Sequence, residues 1–357
     1  MSIYRPCYTT REAVKRALDM KITARQDWQV DDAIQAASEE AEKFLHRVFY
    51  PTIDTRWVDW PNFQAAAPWR IWLDEAELAD VTVNVPVVTS GGNVIPNDQI
   101  FWGNPRYTPP YTYFELNRAS SATFGQGPTP QRDVGITGTF GYWIISTPAD
   151  VLAGSVSTTG ATSITVTGAC TAAVGVGDNV LIGAERMLVV DKQMADTGQA
   201  QQSGVTTDKT NDVALGVSNG ADYATGEILQ LDAEQLLVTA ITGNLLTVIR
   251  AWNGTVLATH SGAEIYGLRT LIVQRAALGT TASTYADGTA LAVHVCPRLV
   301  AQLSRAHAID QVMQELGAYA RTQGSGAAKQ GQIGQGIAGL AQRCYDAYAR
   351  SGRSRVV

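Results

Sequence analysis

At 357 residues, with 33 glycines, eight tryptophans and only 17% charged side chains, the chain has length for about two domains and the composition of a folded, β-rich protein. Lys and Arg number 27 against 33 Asp and Glu; the net charge of −6 excludes a protein whose main task is to coat nucleic acid and leaves only a local basic patch open. The N-terminal stretch MSIYRPCYTTREAVKRALDM lacks the apolar core of a signal peptide and no 18 consecutive apolar residues occur, so neither a leader nor a membrane span is expected.

A short first helix is expected over Thr9 to Met20, with Thr9 or Thr10 as N-cap and Ala13, Val14, Ala17 and Leu18 on one side. A longer one follows from Asp27. Its Val30, Ala33, Ile34, Ala37, Ala41, Phe44, Leu45 and Val48 recur at helical spacing and form one apolar stripe, with acidic and basic residues opposite. That stripe needs a partner. Pro51 disfavours helix at Tyr50, and Thr52 to Val58 are strand-like, so helix passes directly into strand. From Arg56 to Trp143 extended segments alternate with Pro and Gly turns, which reads as a small antiparallel sheet packed on the long helix. The acidic run Asp74, Glu75, Glu77 and Asp80 reads as a solvated face.

Between about Val151 and Ala290 helical periodicity vanishes and short Val- and Thr-rich strands recur between Gly, Asn and Asp turns. Two internal echoes appear there. NVLIGAERMLVV (179–190) matches ILQLDAEQLLVT (228–239), and RAWNGT (250–255) matches RAALGT (275–280), implying a duplicated β unit. Gln193 to Ala221, rich in Gln, Ser, Thr, Asp and Gly, is expected to be a long mobile loop. Helical spacing returns after Pro297, with Leu299, Leu303, Ala306, Asp310, Met313, Leu316 and Ala320 on one face and Val300, His307 and Val312 beside them. Beyond a Gly-rich hinge (324–336), Ile337 to Tyr348 make a final amphipathic helix, followed by a basic tail.

No P-loop, zincin, nucleophile-elbow or EF-hand motif is present, and the glycine cluster at Gly175 precedes a strand and has Val180 where a dinucleotide fingerprint needs glycine. The four histidines lie in four elements. Only His294 and Cys296 are close in sequence, a pair more often structural than metal-binding, so no cofactor and no metal are expected. Cys7, Cys170, Cys296 and Cys344 form no CxxC pair and read as free, buried thiols of a reducing cytoplasm.

The stretch EKFLHRVFYPTIDTRWVDWP, above all Phe49-Tyr50-Pro51, followed by RIWLDE and by Val134 to Tyr142 (VGITGTFGY) ahead of the C-terminal helices, resembles the head-to-tail adaptor (connector) proteins of long-tailed bacteriophages. The resemblance covers 1–150 and 291–357. It implies a helical connector core with a small sheet; the chain departs from the family in carrying the mostly-β insertion at 151–290, so the fold expected for the whole is α+β with the core interrupted by that domain. It further implies a non-enzymatic virion protein made in the host cytoplasm. Such proteins form a ring, typically dodecameric, between the capsid portal and a tail-side stopper or completion protein, with DNA as passing cargo and no membrane partner. A phage decoration or receptor-binding protein using the β insertion is the alternative, and a hydrolase a third reading.

On this frame, Val30, Ile34, Ala37, Ala41, Phe44, Leu45 and Val48 are expected to pack against Leu299 and Leu303, so that the body survives replacement of 151–290 by a short linker. The insertion is expected to face outward from the ring. Arg343, Tyr345, Tyr348, Arg350, Arg353, Arg355, Val356 and Val357 are expected to dock on the portal, arginine suiting paired contacts to carboxylates.

Overall fold

The stripe on the long helix finds its partner, but not the expected one alone. In the computed structural model, which describes residues 3–18, 27–60, 67–73, 77–104, 108–205, 209–316 and 334–350, helix α1 spans Arg11–Leu18 and α2 spans Asp27–Leu45. Val30, Ala33, Ile34 and Ala37 of α2 share a core with Ala308 and Val312 near the C-terminus, and equally with Val176, Leu188 and Ala277 of the β region. Ala41 and Leu45 are also buried. Phe44 and Val48 are not core residues; they are 39% and 38% exposed. Leu45 takes the covered side of the last turn, and His46 then adopts a left-handed φ of 52°, which throws Val48 off the helical repeat.

The architecture is α+β, with a large antiparallel sheet inserted between helical segments, and it forms two compact units, one from Met1–Ala41 with Ser146–Ala347, the other from Glu42–Ile145 with Tyr348–Val357. The boundary therefore differs from a 1–150 plus 291–357 body. It falls inside α2 because the front of that helix is cored by β-region side chains.

The smaller unit holds β1 (Thr52–Val58), β2 (Arg70–Trp72), β3 (Leu78–Asp80), β4 (Val87–Ser90), β5 (Asn93–Ile95), β6 (Ile100–Gly103), β7 (Tyr113–Leu116) and β8 (Val134–Phe140). One sheet runs β1-β8-β4-β5 with β3 also on β8, and a second runs β2-β7-β6. Residues of both sheets, among them Ile71, Val88, Phe114, Val134, Ile136 and Phe140, make a single core. The small sheet thus packs on a second sheet, where sequence spacing had suggested the long helix. Glu77 and Asp80 are buried, not solvated: Glu77 receives Arg47 at 3.0 Å, and Asp80 accepts the backbone N–H groups of Thr82, Val83 and Asn84. Asp74 and Glu75 lie outside the described residues.

The larger unit holds β9 (Ser146–Val151), β10 (Ser163–Thr165), α3 (Gly168–Ala173), β11 (Asn179–Ile182), β12 (Glu185–Ala200), β13 (Ser203–Gly204) and β14 (Val213–Gly216). It continues with β15 (Ile228–Leu231), β16 (Glu234–Thr242), β17 (Leu245–Ile249), β18 (Glu264–Ala277), β19 (Ala290–His294), α4 (Arg298–Leu316) and α5 (Gly334–Tyr348), the last residue of which belongs to the smaller unit. Its strands form one sheet in the order β13-β14-β17-β16-β15-β18-β12-β11-β19-β9, with β10 added on β18. The polar stretch expected as a loop is strand as far as Ala200. Backbone pairing with β18 carries it, and Thr197 and Gln199 find their own partners in the Ile265 carbonyl and in Asp222. On α4 the buried residues are Val300, Leu303, Ser304, Ala308 and Val312, one position round from the expected stripe, so Leu299 is only half-buried. The side chain of Leu316 and all of Ala320 lie outside the described residues.

The two sequence echoes are one duplication, and it is nested. An outer copy comprises β10, β11, β12 and β18; an inner copy, β14, β15, β16 and β17, is inserted between β12 and β18, whose Ala200 and Glu264 are paired at the point of insertion. Buried positions correspond: Val180, Ile182, Met187, Val189, Leu271 and Val273 in one core match Leu229, Leu231, Leu236, Val238, Leu246 and Val248 in the other. At the base of each copy a wholly buried glutamate opens a strand and accepts a two-pronged arginine. Glu185 takes Nε and Nη2 of Arg275, both at 2.7 Å; Glu234 takes those of Arg250 at 3.0 and 2.7 Å. Each carboxylate also accepts two backbone N–H groups at 3.0 Å, from Ala276 and Ser283 in the outer copy and from Ala251 and Ala258 in the inner. The turns after the arginines repeat the same left-handed residues, Ala276 and Leu278 at φ 52° and 56°, Ala251 and Asn253 at 51° and 53°.

Candidate docking surfaces

The C-terminal residues expected to dock are divided by the structure. On α5 the Cys344 side chain is fully buried, its thiol donating to the Leu299 carbonyl at 3.2 Å, and burial raises its pKa. On the same side Ile337, Leu340 and Ala341 are half-buried. Arg343 and Tyr345 face solvent. Tyr348 is an anchor: its ring stands edge-on to Phe49 and Tyr142 at 6.0 and 6.1 Å, and its carbonyl accepts from Arg47. Arg47 in turn lies 4.3 Å above the Tyr142 ring. The N–H of half-buried Arg350 donates to the Leu45 carbonyl at 3.2 Å. Phe49 and Tyr50, part of the Phe-Tyr-Pro stretch, are core residues, and Tyr348 is seated against Phe49. Arg353, Arg355, Val356 and Val357 lie outside the described residues.

A second surface escaped the sequence. Antiparallel register puts Trp57, Gly135, Thr89 and Val94 in one row across β1, β8, β4 and β5, and Thr55, Thr137 and Val87 in the next row on the same face. Trp57, Val87 and Val94 are 53%, 44% and 64% exposed. Gly135 is required there, because a Cβ would stand 2.8 Å from both the Trp57 ring and the Thr89 hydroxyl. Beside this face the turn held by Asp80 projects Val83, 83% exposed, and Val85. Burial acts to raise the Asp80 pKa, but hydrogen bonds from Asn84, Thr82 and Val83 hold it below the usual range.

The third surface is a cleft of about 430 Å³ in the larger unit, walled by α1, the C-terminal end of α3 and the inner copy's Gly226, Ile228, Gln235, Leu237, Trp252 and Asn253. Its ionic groups are cross-linked. Arg11 pairs with Asp31 at 2.6 Å and Asp191 at 2.9 Å, Lys15 with Asp27, and Lys192 with Glu12 and the Thr171 and Val174 carbonyls. Asp178, at the cleft's edge, is half-buried, and desolvation pushes its pKa up to about 7.

Sequence spacing also missed the surroundings of His260. Its Nδ1 lies 2.7 Å from Asp232 and its Nε2 2.8 Å from the Glu234 carboxylate that holds Arg250. In the outer copy the equivalent place is taken by Tyr285, whose hydroxyl donates to Glu185 at 3.1 Å. The repeat alignment carried this signal, since His260 and Tyr285 keep the same 25-residue spacing as Arg250 and Arg275. No protein-family model, curated protein or solved structure matches the chain.

Proposed function

We propose that this chain is a structural subunit of a bacteriophage head-to-tail junction, assembling with copies of itself as a ring between the capsid portal and a tail-side protein, through which DNA passes. The observation that carries the reading is the face bearing Trp57, Val87 and Val94. Paired strands fix these side chains in place, so their exposure persists in the lone subunit and is relieved when a neighbour covers them. Ring closure needs a heterologous contact, so this face meets a different surface of the next subunit. The net charge of −6 suits a conduit that does not clamp phosphate. Arg343 and Tyr345, outward on α5, are assigned to the portal side.

Negative-stain imaging of the purified chain mixed with purified portal tests this. Rings seated on the portal are expected, and Trp57→Glu should abolish them while leaving the thermal melt of the subunit unchanged. Monomers that leave the portal bare, at concentrations where the protein stays folded, overturn the proposal.

A further inference from the structure

The nested copies offer equivalent faces with different fates. In the outer copy the face carrying Gly177, Asn179, Arg186, Leu188, Ala277 and Leu278 lies under helices: Leu188 and Ala277 share a core with α2 and α4, and the Ile34 Cδ1 stands 3.3 Å from where a Cβ on Gly177 would be. The matching positions of the inner copy are Gly226, Ile228, Gln235, Leu237, Trp252 and Asn253, the wall of the open cleft. The backbone frame is the same. Gly177 and Gly226 have φ of 101° and 93°, and their N–H groups donate to Val189 and Val238 at 2.9 and 2.8 Å. Coverage is what differs: Leu188 is 1% exposed, whereas Leu237 and Ile228 are only half-buried.

We propose that the open face of the inner copy is a docking site for an amphipathic α-helix of another polypeptide, with small and branched apolar residues on its stripe and carboxylates on the flank that meets α1. The outer copy shows the kind of element this frame seats. There the occupant is a helix whose stripe is Val30, Ala33, Ile34 and Ala37, and whose Asp31 pairs in two-pronged fashion with Arg11 of α1. The inner face has kept the apolar complement for such a helix, Ile228, Leu237 and Trp252, and Arg16 stands exposed on its α1 rim. Helix-in-groove recognition uses this arrangement of apolar anchors with a charged flank. The inference stands apart from the ring, since Trp57 and its neighbours belong to the other unit.

The probe is a dye-labelled synthetic peptide of residues 27–45, the sequence that covers the equivalent face, titrated by fluorescence anisotropy against the full chain. Saturable binding is expected, weakened about tenfold or more by Leu237→Asp, which corresponds to at least about 1.4 kcal/mol. Ile228→Asp, tested in parallel, should do the same, and Phe101→Asp, at an exposed position of β6 in the other unit, should change nothing. Circular dichroism melts identify any variant that has lost its fold, leaving the other to decide. Absence of saturation up to about 1 mM peptide, the weakest specific affinity worth claiming, overturns the proposal. So does binding unchanged in both folded variants. Concentration-dependent self-association that Leu237→Asp removes would also overturn it, because the occupant would then be a second copy of this chain.

Discussion

Glu234→Gln tests the buried charge network of the inner copy. The substitution keeps the shape but removes the charge and turns one of the two acceptor oxygens into an NH2 donor. Arg250, 1% exposed and also bonded to the Ala258 carbonyl, is then a buried cation facing a neutral amide, and the His260 Nε2 loses its carboxylate. Breaking a buried pair by removing one partner costs about 3 to 5 kcal/mol; a surface pair would cost under about 1 kcal/mol. The loss should be local first. Hydrogen exchange should accelerate across β14 to β17 while β11 and the adjoining part of β12, held by Glu185 and Arg275, keep their protection. In urea the transition should move to lower denaturant or split in two. A shift within about 0.5 kcal/mol, as for an ordinary surface change, would refute the reasoning. The pH dependence follows from the same contacts. Burial acts to raise the pKa of Glu234, but hydrogen bonds from Arg250, Ala258, His260 and Ala251 hold it below its ordinary value of 4.5. Its contribution is therefore fully present above that value and is lost as the pH falls through the depressed folded-state pKa.

Ile34→Ala should destabilise by about 2 to 5 kcal/mol and Phe44→Ala by less than about 1 kcal/mol, read from urea midpoints, since only the first vacates core volume. Asp178→Asn should stabilise, with a gain that grows as pH rises from the ordinary 3.8 towards about 7 and is constant above, because the native carboxyl resists ionisation over that interval; equal stability of the two proteins at pH 8 would contradict it. Replacing residues 151–290 by a short Gly/Ser linker should strip α2 and α4 of hydrogen-exchange protection, since it takes Val176, Leu188 and Ala277 from their core, while the smaller unit keeps its own core; protected α2 amides in that chain would restore the two-part reading made from sequence.

What the sequence disclosed and what it hid divide along physical lines. Periodicity located α2 and most of its stripe, because Val30, Ile34 and Ala37 recur at the helical repeat. It could not say what covers them, and the β region was overlooked as a partner because Leu188 and Ala277 sit in strands with no helical signature. Strand alternation does not reveal which face is covered, so the exposure of Trp57 was out of reach. Polar composition misassigned Gln193 to Ala200, where ladder hydrogen bonds are made by backbone and tolerate any side chain. The nesting was present in the numbers: one echo recurs after 49 residues and the other after 25, and a tandem duplication would have given one spacing for both.

That nesting bears on how the chain folds. The β12 and β18 partners Ala200 and Glu264 are separated by some sixty residues, and closing an unstructured loop of that length costs about 4 kcal/mol. The inner copy is built on two short-range hairpins, β15 with β16 and β16 with β17, which form on the microsecond scale, and β14 closes on β17 over a span of some 35 residues, about half that of β12 and β18. Once formed it holds its own ends together, so the long β12–β18 ladder can zip from a closed base without paying that entropy again. The inner copy is thus the nucleus for the outer one. On an elongating ribosome it is complete before β18 emerges, and pulse-labelled exchange should find β16 and β17 protected earlier than the β12–β18 ladder.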